Sequence, residues 1–145
     1  MKNLILLLLI VPLAFTSCNI GPEPINYGSD ACHYCSMTIV DKQHAAEFVT
    51  QRGKAFKFDS IECMMNSVKD TDSTEIALFL ANGFDTPGKL IDGTKATYLI
   101  SKNIPSPMGE FLSAFENREA AGLVQSEQNG ALFSWQDLKE RFEIQ

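Results

Sequence analysis

The apolar run from Leu4 to Pro12 near the N-terminus constrains this chain most. Lys2 is the only charge before it, and Phe15-Thr16-Ser17-Cys18 follows. A membrane-spanning helix needs about 20 apolar residues, so the run is too short to span and suits the core of a secretory signal. Small residues directly before a cysteine are what a lipoprotein signal peptidase accepts. Residues 1–17 are therefore expected to be a lipoprotein signal peptide, with Cys18 as the lipid-modified end carrying fatty acyl chains such as palmitate. The competing reading is a buried N-terminal helix, which the order of cation, apolar core and small residues disfavours.

Without residues 1–17 the 145-residue chain keeps 128, enough for one ordinary domain or two very small ones. With Lys2 gone, eleven Lys and Arg face eighteen Asp and Glu, a net charge of −7. Such an acidic surface argues against nucleic acid and against an electrostatic grip on anionic lipid. No other stretch is apolar enough to cross a membrane, which leaves the lipid on Cys18 as the anchor. The expected location is extracytoplasmic, on the periplasmic or outer-membrane face. Residues 18–30 hold two Pro and two Gly and read as a flexible lipidated tether.

Beyond Cys18 three cysteines remain, Cys32, Cys35 and Cys63. A disulfide framework outside the cytoplasm wants an even count, so at least one thiol is free, intermolecular or a metal ligand. The segment Cys32-His33-Tyr34-Cys35-Ser36-Met37 gathers two thiols, an imidazole and a thioether, with no Asp or Glu among them. Sulfur donors favour Cu(I) over Mg²⁺ or Ca²⁺, with Zn²⁺ the main competitor, and a thioether tilts that choice toward copper. Cys35 and Met37 are two apart, which in an extended segment would place both on one side. They are the first choice of ligands; Cys32 is a further candidate. Bland readings stand beside this one. Cys32 and Cys35 can close a disulfide, Met37 can be core, and His33 can be an exposed loop residue. His44, in Asp-Lys-Gln-His, reads as a solvated turn histidine, and no Ser or Asp constellation is evident around either histidine.

The rest reads as scaffold. Ala46–Thr50 and Lys54–Phe58, split by Gln51-Arg52-Gly53, predict a β-hairpin. Asp59, with Glu62 three residues on, predicts a capping box. Ile61, Met64, Met65 and Val68 then form a buried helical stripe, and Cys63 falls off it as a half-buried structural thiol or a distal ligand. Glu75–Ala81 returns as a strand, and the turn-rich Asn82–Gly88 separates two halves. The plan then recurs: strands at Ala96–Ser101 and Glu110–Phe115, a helix at Asn117–Asn129 between an Asn117 cap and a Gly130 stop, and a short strand at Ala131–Ser134. Trp135–Phe142 closes as an amphipathic helix. The fold class is α+β, two similar ββαβ units packed together: residues 31–82 with the Cys-x-x-Cys-x-Met motif, and residues 90–145 with the C-terminal helix.

Several motifs in register resemble one family. They are the lipoprotein signal, Cys32-x-x-Cys35-x-Met37-x-Ile39, Ala45-Ala46-Glu47, Phe58-Asp59-x-Ile61-x-Cys63-Met64, Ala96-x-Tyr98, and Pro107-Met108-Gly109-x-x-x-Ser113-Ala114-Phe115, followed by Gly130 and a closing helix. This order resembles the NosL family, copper-binding lipoproteins accessory to nitrous oxide reductase. The resemblance implies two ββαβ units, and a single Cu(I) passed outside the cytoplasm to the maturing sites of that enzyme or to its assembly factors. It places the family's Cys-x-Met ligands on Cys35 and Met37 and a weaker candidate on Met108. Ser60 departs from a family Asp and reads as a change of cap. The implied protein is a metallochaperone, not an enzyme. Its rivals are a thiol–disulfide redox protein using Cys32 and Cys35, and a structural lipoprotein whose sulfur side chains are all core.

Overall fold

The computed structural model describes residues 20–144. The expected signal peptide and Cys18 lie outside these residues. The first unit opens with β1 (Ala46–Thr50) and β2 (Ala55–Phe58), turned back on each other in register Ala46↔Phe58 to Val49↔Ala55. Gly53, at φ +80°, supplies the left-handed turn residue that a side chain would resist. Helix α1 (Ile61–Lys69) follows, and β3 (Ile76–Asn82) returns antiparallel on the other side of β1. The short strand β4 (Leu90–Asp92), which the sequence did not signal, extends this sheet to the order β2-β1-β3-β4.

The second unit repeats the plan. β5 (Thr97–Ile100) pairs with β6 (Leu112–Phe115), α2 (Arg118–Gln128) follows, and β7 (Ala131–Phe133) returns beside β5 to give the order β6-β5-β7. In both units the first strand lies in the centre, its hairpin partner on one side and the post-helix strand on the other. Helix α3 (Trp135–Arg141) ends the chain, with a capping box between Ser134 and Asp137. The fold class is thus α+β with two ββαβ units.

One apolar core runs through both units. The predicted stripe of α1 is wholly inside, and Tyr98, Leu112 and Leu138 of the second half join the same cluster. Because α1 packs against β1, β2 and also β6, its remaining face is covered as well. Cys63, expected to be half-buried, has no exposed surface, because it faces the segment bearing Cys32 and Cys35. Trp135 of α3 stacks on Phe79 of β3, ring centroids 4.9 Å apart, which holds the final helix across the two halves.

The segment expected to be a loose tether is fastened from Glu23 onward. The amide of Glu23 donates to the buried Glu47, Lys57 Nζ donates to the carbonyl of Pro24, and Ile25 enters the core. Lys57 Nζ also meets Asp30 Oδ2 at 2.8 Å. Two prolines and two glycines signalled irregular backbone correctly, but its polar groups find partners on the domain instead of water.

Candidate metal centre

Two pieces of chain meet at the end of the β1–β2 hairpin. The first is the sulfur-rich segment. Ala31 and Thr38 form an antiparallel bridge, and between them the amide of Cys32 donates to the carbonyl of Met37 and that of Ser36 to Cys32. Ser36 has φ +64°, so the chain turns sharply between Cys35 and Met37. The expectation of an extended Cys35–Met37 step is therefore corrected: a left-handed residue separates them, and same-side geometry at i and i+2 does not apply. The turn is held down by Cys32 and Ile39, both buried, and by the amide of His33 donating to the carbonyl of Lys57.

The second piece is the junction of β2 and α1. The N-cap is Ser60, not Asp59: Ser60 Oγ accepts from the amide of Cys63. Asp59 and Ser60 are both good cap residues, and the later one wins because Asp59 is drawn inward. Cys63 occupies the third position of the helix, facing the turn. The outcome is a compact donor group. The sulfurs of Cys32, Cys35 and Cys63 and a carboxylate oxygen of Asp59 all lie within 4.8 Å of one another. The three cysteines are unpaired. Cys35 donates to Asp59 Oδ2 at 3.4 Å, while Asp59 Oδ1 is buried with no hydrogen-bond partner.

The electrostatics of the group are uneven. Cys32 is lowered to about 6, first by the Cys63 thiol donating to it and further by the amides of Cys35, Asp59 and Tyr34, against the opposing effect of burial. Cys63 is pushed well above the thiol range because it keeps the proton it shares with Cys32. Burial raises Cys35, partly offset by the Met37 amide pointing at its sulfur. Cys32 is thus the thiol of the three that ionises most readily. Nucleophilic and metal-binding power resides in the thiolate form, so Cys32 is ready and its neighbours must release protons to bind. The orphaned oxygen of Asp59 and three convergent sulfurs suit a soft or borderline cation.

Of the residues singled out in the sequence, Cys32 and Cys35 belong to this group. Met37 stands at its rim, 47% exposed. Met108 is 39% exposed on the Ser106–Gly109 turn, which is tied to the first turn of α1 by the Ser106 hydroxyl donating to Glu62 Oε1. Asp59 was missed as a member, and Cys63 was offered only as a distal ligand or a structural thiol. The odd cysteine was the available signal, and the helical stripe concealed it. Neither histidine contributes. The His33 ring lies on Phe56, centroids 4.5 Å apart. His44, expected to be solvated, is buried, with Nδ1 2.8 Å from Asp41 Oδ2 and Nε2 3.2 Å from Ser113 Oγ. Asp41, three residues before His44, supplies the partner that makes this burial affordable. The Asp41–His44–Ser113 row has the order of a hydrolytic triad, but Ser113 is fully buried in β6 and no substrate carbonyl could reach its hydroxyl.

Among the described residues no helix is long and apolar enough to cross a membrane. No curated protein matches the chain. The fold is similar to that in the crystal structure of the copper chaperone NosL from Shewanella denitrificans, with a TM-score of 0.71 and 16% identity over 82% of this chain and 96% of that one. At that identity the likeness is one of fold. The family model for NosL matches residues 25–142, and on that match the chain belongs to the NosL family.

Proposed function

We propose that this chain is a membrane-anchored carrier that binds one Cu(I) and passes it outside the cytoplasm to a copper-accepting partner, nitrous oxide reductase or its assembly factors. The observation that carries the reading is the convergence of three unpaired thiols and one carboxylate where the Cys32–Met37 turn meets the β2–α1 junction of a NosL-family fold. Sulfur donors select Cu(I), and the solved relative is described as a copper chaperone. Cys35 is the central ligand, as the one cysteine of the group that is not fully buried. Met37 at the rim and Cys32 within are the next ligands, with Met108 a further sulfur on the neighbouring turn. Cys18 carries the lipid that confines delivery to the membrane surface.

The rival redox reading lacks the helical setting of an exchanging cysteine pair. Cys32 and Cys35 sit in a hairpin turn and not at the start of a helix, whose dipole would favour an exchanging thiolate. The test is anaerobic titration of the reduced protein with Cu(I) against a competing chelator, beside Cys35→Ala. Tight one-to-one binding that weakens about tenfold or more in the variant, roughly 1.4 kcal/mol, supports the carrier. Equal and feeble uptake by both proteins, with thiol–disulfide exchange activity intact, sinks it in favour of the redox reading.

A further inference from the structure

Taking the copper-carrier reading as its basis, we infer that a single Cu(I) has two positions in this protein that share Cys35: a holding position inside, with Cys32 and Cys63, and a handover position at the rim, with Met37.

The exposures divide the sulfurs into two sets. Cys32 is 2% exposed and Cys63 0%, whereas Met37 is 47% exposed and Cys35 lies between. Cu(I) passes from one protein to another by ligand replacement, so an incoming donor must reach the ion before the old bonds break. A donor from outside cannot reach an ion held by Cys32 and Cys63. An ion held by Met37 and Cys35 is open to it. Cys35 is common to both because its sulfur is within 4.8 Å of the inner sulfurs yet only partly buried, and Met37, two residues on and exposed, has an unbranched side chain with three rotatable bonds that can swing its thioether over that sulfur despite the left-handed Ser36 between them. The inner position also offers the unpartnered Asp59 Oδ1, a buried oxygen that a cation would satisfy and that the rim lacks.

Movement between the positions conserves electrons. The bond from copper to the Met37 thioether breaks and bonds to Cys32 and Cys63 form. Each inner thiol that binds releases its proton to water, and copper stays Cu(I) throughout. Outward movement reverses these steps and takes the protons back. The inner sulfurs set how tightly copper is held, and Met37 sets how fast it leaves.

The experiment uses the full chain, reduced and in detergent, loaded with one equivalent of Cu(I). Bathocuproine disulfonate serves as the probe in two measurements, equilibrium competition and stopped-flow transfer. Met37→Leu is expected to slow transfer about tenfold while shifting affinity by no more than about threefold. Cys63→Ala is expected to weaken binding about tenfold and to speed transfer. A one-position site predicts instead that Met37→Leu weakens binding and speeds release together; that result, or an unchanged transfer rate, overturns the inference. Should Cys63→Ala lose its thermal transition, Met37→Leu decides alone, since its side chain is exposed and its loss leaves the core intact. If the unaltered chain takes up no Cu(I), the carrier reading itself fails and takes the inference with it, whereas coupled changes leave the carrier standing.

Discussion

Glu62 joins the two halves of the fold next to the metal centre, and its removal is the sharpest test of how they are held. Its side chain is fully buried on α1. Oε1 accepts from the hydroxyl of Ser106 and from the amide of Leu112 at 3.3 Å, both in the second unit, and Oε2 has no hydrogen-bond partner. In Glu62→Ala the Leu112 amide loses its acceptor and the Ser106 hydroxyl its outlet, though Ser106 still accepts from Phe111. Each buried group left without a partner costs about 1–3 kcal/mol. Relief of a buried carboxylate offsets part of this, so a net loss of about 2–4 kcal/mol is expected. For a domain of this size that is roughly 6–15 °C in Tm. Urea unfolding followed by the fluorescence of Trp135, the chain's single tryptophan, measures it directly. Glu62→Gln keeps the acceptor and should cost less than about 1 kcal/mol near neutral pH. The pH dependence has a definite sign. Burial holds the Glu62 carboxyl above its ordinary value of 4.5, so the folded state binds this proton more tightly than the unfolded one. Its contribution is most favourable in acid, declines as pH rises through 4.5 toward the folded value, and is flat beyond. The stability of Glu62→Gln relative to the unaltered protein should therefore improve over that window. An alanine variant within about 0.5 kcal/mol of the parent would refute this account of the junction.

Four further outcomes are expected. Gly130 has φ +107° and a Cβ there would clash with the carbonyl oxygen of Ile100, so Gly130→Ala should lose about 2–4 kcal/mol in thermal or urea unfolding. Gly122, inside α2 with open space around it, should gain about 0.5–1 kcal/mol as alanine, an internal control on the first figure. Lys57→Met should free residues 22–30, because Lys57 fixes both Pro24 and Asp30 and holds the Asp30 carboxyl below its usual range; faster amide exchange at Gly28 and Ile39, which bond across this segment, would register the change. Cys18→Ser should shift the protein from the membrane to the soluble fraction, and unchanged fractionation would dismiss the lipid anchor.

Much of the scaffold is legible in the sequence because local signals and burial agree there. The stripe Ile61, Met64, Met65 and Val68 is a helix face and lies in the core; Asn117 is both a good cap and the observed one; Gly53 turns the hairpin. The metal centre is less legible because it depends on tertiary choices that local rules leave open. Asp59 and Ser60 are equally good caps, and only the approach of the Cys32–Met37 turn decides that Asp59 faces the sulfurs. Cys63 lies off the apolar stripe, and nothing local reveals that the turn bearing Cys32 and Cys35 covers that side of the helix. His44 failed for the same reason: its partners are Asp41, three residues away, and Ser113, sixty-nine away.

The duplicated plan supplies its own control on why chemistry resides in one unit. Each hairpin ends on a buried phenylalanine, Phe58 or Phe115, one residue before an acid, Asp59 or Glu116, and two before an N-cap, Ser60 or Asn117. The cap in each case accepts from the third residue of the helix, Cys63 or Ala120. The backbone geometry that aims Cys63 at its partners thus exists twice. In the second unit the third position carries no ligand atom, and Glu116 points outward to pair with Lys89 at 3.2 Å, both side chains more than half exposed. What differs is the chain folded over the strand–helix junction. Over the first unit lies the turn bearing Cys32 and Cys35, which excludes water and draws Asp59 inward. Over the second, among the described residues, no cysteine lies to do so. The ββαβ unit therefore provides a cap-directed position for one ligand, and the N-terminal turn converts that position into a site.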